Sequence, residues 1–287
     1  MSKFIVEDNI ELLPFLQQVM PETSRTKLKE VLAHNVYVNG RRVTQFNFPL
    51  MKGMEVEIQK NSSNARMKPR DLDIVFEDQY LFVVNKHEGL LSSSKNVADK
   101  TVITVLNRYL NATHQKCSAH IVHRLDRDTS GLLVVAKSKK VAMLFEENWK
   151  ERVYDRRYVA VAWGNIEDNK GYIRSWLTDG EYCVLSSPVD NGGKEAITHY
   201  EVKQRSRRYS LVMLKLDTGR RNQIRVHLRE MKHPVVHDPM YGYKDDVSPI
   251  NRLALHAMRL CFVHPITAKK LEFETPVPQS FMKLMEI

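Results

Sequence analysis

The sequence predicts an α+β fold, in which a mainly antiparallel mixed sheet with flanking helices follows a small α/β module. Residues 170–217 contain four short runs typical of strands, joined by polar turns without a helix-length crossover, which favours antiparallel pairing. Apolar residues recur at helical spacing in 101–111 and 139–151, which predicts two amphipathic helices. Residues 61–70 are polar, contain a proline and lack periodicity, which indicates a linker.

Residues 1–60 predict a helix followed by a hairpin. Ser24 caps a run with helical apolar spacing, and the alternating strand 35–40 ends in an Asn-Gly turn before a return strand. Five basic side chains lie close together here, opposed only by Glu30: Arg25, Lys27, Lys29, Arg41 and Arg42. This charge predicts a module that contacts the RNA backbone. A small appendage with a solvated basic helix is the alternative.

Residues 71–287 form the larger predicted domain. Residues 74–76 and 80–86 read as two strands around a Glu77-Asp78 turn, and the helix 101–111 follows. His114, Cys117, His120 and His123 then recur every three residues. Four zinc ligands in one ten-residue run could converge only on an irregular loop, so we predict that no metal binds here.

The stretch 121–138 combines two kinds of sequence. Its second half, from Gly131 to Ala136, is almost entirely apolar, which predicts a strand buried on both faces. Its first half packs acids, bases and hydroxyl groups into eight residues, from His123 to Ser130. A charged loop that leads into a buried strand holds reactive side chains on a rigid element. A solvated turn capped by Asp128 is the alternative.

Two helices and a strand are also predicted after residue 138. A helix is expected over 139–151 and a strand over 156–164. After Thr218 and Gly219, a helix of about three turns is predicted. Its buried stripe would contain Ile224, His227, Leu228 and Met231, beside a basic ridge of Arg221, Arg225 and Arg229.

Composition limits the possible partners and compartments. The 287 residues carry 44 basic and 34 acidic side chains, a net charge of +10, which suits a polyanionic partner. No apolar run approaches the length of a membrane span, and the N-terminus lacks the layout of a signal peptide. Three widely spaced cysteines do not indicate a disulfide framework. We therefore expect a cytoplasmic protein that contacts no membrane.

The run HRLDRDTSGLLVVAKS resembles the signature of the RluA-type pseudouridine synthases. The resemblance implies the pseudouridine synthase fold and makes Asp126 the catalytic carboxylate. It assigns Arg124 to base flipping, and His123 and Thr129 to substrate binding. Two further segments match the family, a strand entered at Tyr158 and the run TGRRNQIRVHL.

The matching segments imply further roles. Tyr158 would be catalytic, Arg225 would form a salt bridge to the catalytic carboxylate, and Arg220 would bind substrate. Leu255 matches an apolar residue of the uracil pocket. The chain departs from the family pattern at three positions: His87 replaces a proline, Asn222 a histidine and His237 a glycine.

The resemblance implies an enzyme that isomerises uridine to pseudouridine in RNA without a cofactor. Residues 1–60 resemble an S4-like RNA-binding domain, which favours large-subunit ribosomal RNA over transfer RNA as substrate. We expect a monomer. Two alternatives stay open: a non-catalytic RNA-binding or ribosome-assembly factor, and a glycosidase-like hydrolase that uses Asp128 as a second carboxylate.

Overall fold

The structure, a computed structural model, describes residues 2–21, 23–24, 28, 31–32, 36–58, 69, 71–96 and 98–286. The chain divides into two compact units, Met1–Lys68 and Pro69–Ile287. No helix in the described ranges has the length and apolarity that a bilayer crossing requires.

In its described residues, the first unit contains a four-stranded antiparallel sheet in the order β1-β6-β3-β4, a separate pair β2-β5 and the helix α1, and residues 28, 31 and 32 are also helical. Its elements are β1 (Ser2–Ile5), β2 (Ile10–Glu11), α1 (Leu12–Val19), β3 (Val36–Val38), β4 (Arg41–Arg42), β5 (Pro49–Leu50) and β6 (Glu55–Ile58). The predicted hairpin is confirmed, because Asn39 and Gly40 both have positive φ, at 47° and 75°, as a tight two-residue turn requires. Leu28 and Leu32 are buried in the core of this unit.

The predicted basic cluster of this unit is only partly described. Arg41 is exposed on the hairpin. Arg42 lies in β4, but its side chain is outside the described part of the structure, as are residues Arg25, Lys27 and Lys29. The linker predicted over 61–70 also lies outside the described residues, except for Pro69.

The second unit is built on an eleven-stranded sheet. The strand order is β13-β12-β14-β15-β11-β16-β10-β8-β7, and β17 and β9 pair with β16 and β10. The strands are β7 (Leu72–Glu77), β8 (Leu81–Lys86), β9 (His120–Ile121), β10 (Ser130–Ala136), β11 (Val153–Trp163), β12 (Lys170–Asp179), β13 (Val184–Ser187), β14 (Lys194–Arg205), β15 (Tyr209–Leu216), β16 (Leu255–Val263) and β17 (Lys270–Glu274). All neighbours are antiparallel except β10 and β16, which confirms the predicted mixed sheet.

Helices flank this sheet: α2 (Val102–Ala112), α3 (Lys139–Glu147), α4 (Trp149–Arg152), α5 (Gln223–Glu230) and α6 (Gln279–Met285). The prediction of a single helix over 139–151 is wrong in one respect. The helix breaks at Asn148, whose φ of −126° is not helical. The break separates α3 from the single turn of α4, which begins at Trp149.

The helix after Gly219 also differs from the prediction. It has 8 residues, about two turns, and all six residues from Gln223 to Leu228 are buried. Arg225 is therefore not part of an exposed basic ridge, and Arg221 precedes the helix. The reason is that α5 packs against both the sheet and the segment that follows it, so polar groups on its inner side must be satisfied by buried partners.

Candidate active site

A cleft of about 510 Å³ opens in the second unit. The eight residues that the sequence predicted for catalysis and substrate binding all line it: His123, Arg124, Asp126, Thr129, Tyr158, Arg220, Arg225 and Leu255. Six basic and three acidic side chains, with His123 uncounted, take part in the lining, so the cleft carries positive charge suited to an anionic substrate.

The loop that carries Asp126 emerges from a gap in the sheet. β10 pairs with β16 at Ser130 and Gly131, and with β9 only at Val135 and Ala136. Between these contacts, the backbone N–H of Val134 donates to Nε2 of His123 at 3.1 Å. The start of the reactive loop is thus fixed to the strand that follows it.

Gly131 is required where β10 meets β16. Its φ is 118°, a conformation that L side chains rarely adopt. A Cβ there would also lie 2.2 Å from the carbonyl oxygen of Ala257. Any other residue would therefore push apart the two strands that border the cleft.

Two side chains fix the backbone on either side of Asp126. Ser92 donates its hydroxyl to the Leu125 carbonyl at 2.7 Å and accepts the Leu125 N–H at 3.0 Å. The fully buried Lys86 donates to the Arg127 carbonyl at 2.8 Å, and also to two carbonyls of its own turn. Sequence reasoning missed both anchors, although Lys86 stands in a segment that matches the family pattern.

Asp126 is half-buried at the bottom of this loop. Burial raises the pKa of its carboxyl above the ordinary aspartate value. The positive charges of Arg225, Arg124, Lys86 and Arg221 oppose this rise, in that order. A desolvated carboxylate surrounded by cations is suited to act as a nucleophile or a base.

The prediction of a salt bridge between Arg225 and Asp126 is wrong. Arg225 instead donates from Nε and Nη2 to the two carboxylate oxygens of Asp238, both at 2.7 Å, and from Nη1 to Oδ1 of Asn222 at 3.0 Å. Asp238 is fully buried and also accepts the backbone N–H groups of Met240 and Tyr241 at 2.9 Å. Arg225 acts on Asp126 through its charge, without an ion pair between them.

The structure shows the backbone conformation or the contacts at each of the three departures from the family pattern. Asn222 adopts the left-handed region, with φ of 54°, which asparagine tolerates better than most residues, and it donates to the Tyr241 hydroxyl at 3.1 Å. His237 also has a positive φ, 55°, where the glycine of the family would be unstrained. The N–H of His87 donates to the Asp71 carbonyl at 3.2 Å, a hydrogen bond that proline could not make.

Tyr158 and Leu255 lie on the same face of two neighbouring strands. Tyr158 pairs with Ala257 and Ala160 with Leu255, so both side chains project into the cleft. Burial raises the pKa of the Tyr158 hydroxyl, and the positive charge of Arg156 opposes the rise. The tyrosine is therefore a neutral, mostly apolar wall with one polar end.

A buried chain of hydrogen bonds supports the far end of the reactive loop. Arg252 donates to the Ser130 hydroxyl at 2.5 Å, and Ser130 lies 2.7 Å from Nδ1 of His256. The other ring nitrogen of His256 lies 2.9 Å from the Thr275 hydroxyl. Burial, and to a smaller extent the positive charge of Arg252, lowers the pKa of His256 to about 4, so the ring is neutral. The segment RLALHA thus supports the site from beneath, while Leu255 alone of it lines the cleft.

The described part of the chain contains no group of three or more His, Cys, Asp or Glu side chains placed to hold a metal ion. In the run from His114 to His123, His120 contacts the Ser118 hydroxyl at 2.9 Å, and Nε2 of His123 accepts the Val134 N–H.

Comparisons with known proteins agree with this geometry. Residues 80–230 match the family model described as RNA pseudouridylate synthase. The chain is 34% identical over 289 residues to ribosomal large subunit pseudouridine synthase D of Escherichia coli O157:H7, covering 95% of this chain and 88% of that protein. It is 34% identical over 280 residues to the uncharacterized RNA pseudouridine synthase YlyB of Bacillus subtilis (strain 168), covering 95% and 92%.

A solved structure has the same fold. Human RNA pseudouridylate synthase domain containing 1 superposes with a TM-score of 0.60 at 27% identity, covering 73% of this chain and 84% of that one. Asp126, Tyr158 and Arg225 all fall within residues 80–230, the range matched by the family model. The chain belongs to the RNA pseudouridylate synthase family, and it is an isomerase that converts uridine to pseudouridine in RNA.

Proposed function

We propose that the substrate of this isomerase is large-subunit ribosomal RNA. The name of the Escherichia coli relative supports this assignment, since the two chains align over 95% of the present one. Transfer RNA is the alternative substrate.

We propose that the enzyme works in the cytoplasm as a monomer. Its three cysteines are free, in keeping with a reducing compartment.

Asp126 is the proposed catalytic carboxylate, and its position in the cleft carries the proposal. The reaction breaks the bond between N1 of uracil and C1′ of ribose, turns the base, and joins C5 to C1′. The proton that C5 loses is balanced by the proton that N1 gains. A carboxylate facing the ribose can attack C1′ or remove a proton from C2′. Arg225 favours the ionised form of this carboxylate.

Tyr158 and Leu255 are proposed to hold the uracil ring while it is detached. Their neighbouring positions on β11 and β16 give an aromatic and an aliphatic wall. Tyr158 also supplies a hydroxyl that could carry the C2′ proton. Arg124 is exposed at the start of the loop, and we propose that it occupies the space left by the flipped uridine, which costs a few kcal/mol to unstack.

His123, Thr129 and Arg220 are proposed to bind substrate. Nδ1 of His123 and the Thr129 hydroxyl are buried and have no hydrogen-bond partner among the described residues. Because Nε2 of His123 accepts the Val134 N–H, the neutral ring carries its proton on Nδ1 and offers a donor. Arg220 lies near the start of the TGRRNQIRVHL segment and is exposed. Its Nε donates to the Glu195 carbonyl at 3.1 Å.

Residues 1–60 are proposed to be an S4-like module that reads RNA backbone, joined by the linker 61–70 to the catalytic region 71–287. Its basic residues Arg25, Lys27, Lys29, Arg41 and Arg42 would supply affinity. Deletion of residues 1–68 should therefore weaken RNA binding, while the single-turnover rate at saturating RNA stays within about tenfold. A much larger loss of rate in a folded truncated protein would contradict this division of roles.

Two experiments test the proposed function. Pseudouridine should be mapped in RNA from cells with and without the gene, and loss of a site in large-subunit ribosomal RNA is expected. A lost site in transfer RNA alone would overturn the proposed substrate. Asp126→Asn should abolish turnover while RNA affinity changes little, and Asp128→Asn, whose carboxylate pairs with Arg127, is the matched control that should stay active. Turnover by Asp126→Asn would refute the catalytic assignment.

A further inference from the structure

Trp149 and Arg156 form a cation–π pair on one wall of the cleft. The guanidinium carbon of Arg156 lies 5.3 Å from the centre of the Trp149 ring, and both side chains line the cavity. Trp149 is in turn packed against His123 and Phe145, with ring centres 4.8 and 6.4 Å away. The break at Asn148 allows this arrangement, because Trp149 starts a separate turn of helix at the cleft.

Arg156 carries a positive charge without a counter-ion. No carboxylate of the described residues forms an ion pair with it, whereas Arg225 pairs with Asp238 and Arg221 with Asp179. This charge acts on a neighbouring side chain of the cleft: burial, and to a smaller extent the positive charge of Arg156, lowers the pKa of His123 to about 3. An uncompensated guanidinium at the wall of a substrate cleft indicates that the substrate provides the anion.

The guanidinium of Arg156 donates one hydrogen bond to the Tyr158 hydroxyl, and a guanidinium has further N–H donors that this bond does not use. A Cβ placed on Gly219 would lie 3.5 and 3.7 Å from the two terminal nitrogens of Arg156, so the side chain reaches across to the turn that carries Arg220. An aromatic ring against one face of a guanidinium does not use the N–H donors at its edge. That edge fits two oxygens of one phosphate group.

We infer that Arg156 binds a backbone phosphate of the RNA next to the target uridine, and that Trp149 is the positioning residue that holds it in place. This inference rests on the proposed location of the uridine beside Asp126. A phosphate is favoured over a uracil oxygen because the site offers a full, unpaired charge. Lys150, which follows Trp149 in the lining of the cleft, adds a second cation.

The neighbouring Arg157 provides a matched control. It lies on the same strand but points to the opposite face, and it is paired with Asp155 at 3.0 Å. Arg156→Gln and Arg157→Gln remove the same charge from positions one residue apart. Binding should be measured for both, across a range of salt concentrations, with the RNA fragment that the wild-type enzyme modifies.

Arg156→Gln should bind this RNA roughly tenfold more weakly, as expected for the loss of a charge-assisted hydrogen bond. The slope of log K against log salt should fall by about 0.7 for a phosphate in a single strand. Arg156→Lys should restore the slope but only part of the affinity. Trp149→Leu should raise KM with little change in kcat, and Trp149→Phe should recover most of the loss.

Two outcomes would overturn the inference. If Arg156→Gln and Arg157→Gln have equal salt slopes while both melt like the wild type, Arg156 does not contact phosphate. If Arg156→Gln lowers the saturated single-turnover rate without weakening binding, its role is to tune Tyr158 and not to bind RNA. Both outcomes are separate from a failure of the catalytic assignment, which Asp126→Asn tests by turnover alone.

Discussion

Asp238 and Arg225 form a buried ion pair whose disruption should be measurable in both stability and activity. Their side chains are 0% and 7% exposed, and two of the four hydrogen bonds to the Asp238 carboxylate come from Arg225. Asp238→Asn keeps the shape but removes the charge, which leaves a buried guanidinium uncompensated. Such a change costs about 3–5 kcal/mol. This is a large fraction of the 5–15 kcal/mol that typically separates folded from unfolded protein.

Urea unfolding followed by circular dichroism measures this cost, since the midpoint should fall while the slope with denaturant stays constant. Asp179→Asn is the control, because Asp179 pairs with Arg221 at 3.3 Å on the exposed surface. Its loss should cost under about 1 kcal/mol. The saturated single-turnover rate of Asp238→Asn should also fall at least about tenfold, because Arg225 is no longer held near Asp126.

A loss of stability no greater than that of the Asp179 control would refute this reasoning. It would mean that the Arg225 guanidinium finds another partner once Asp238 is neutral, and Asp126 is the nearest candidate by its charge interaction. Unchanged turnover together with reduced stability would limit the role of the pair to folding.

Four further predictions concern three single residues. Because burial raises the pKa of Asp126, activity that requires its ionised form should decline on acidification at a higher pH than for an ordinary aspartate; a single-turnover rate unchanged down to about pH 4 would contradict this. For the same reason, ionised Asp126 opposes folding above its raised pKa, so Asp126→Asn should not lower the melting temperature. His237→Gly should raise the free energy of unfolding by up to about 1 kcal/mol, because it relieves a positive φ, and a lower urea midpoint would argue against this. Ser92→Ala should cost about 1–3 kcal/mol and reduce kcat, since it frees the Leu125 backbone; a fully active variant would show that this anchor does not position Asp126.

The sequence predicted the parts of the site that local pattern controls. The strand from Ser130 to Ala136 is continuous and buried because its apolar run allows no exposed face. The Asn-Gly turn sets the N-terminal hairpin because both residues accept a positive φ. The cleft residues could be predicted because each one lies in a short segment that matches a known pattern, although their roles stay proposals.

Contacts between distant segments could not be predicted. Ser92 and Lys86 bind carbonyl groups that lie 33 and 41 residues further along the chain. Arg225 could equally have paired with Asp126 or Asp238 by charge alone, and only the packing of α5 selects Asp238. The break at Asn148 was missed because apolar spacing continues across it, and that spacing does not report backbone dihedrals.

The gap beside β10 explains why His123 must stay neutral for the loop to keep its place. Nε2 of His123 accepts the Val134 N–H at a point where neither β16 nor β9 can do so. In a protonated ring, Nε2 would carry a hydrogen that faces the Val134 N–H, and the hydrogen bond between them would be lost. Burial, aided by the charge of Arg156, lowers the pKa of His123 to about 3, so the ring remains an acceptor at any pH where Asp126 is ionised. The cation that we assign to phosphate binding therefore also helps to fix the start of the loop that carries the catalytic carboxylate.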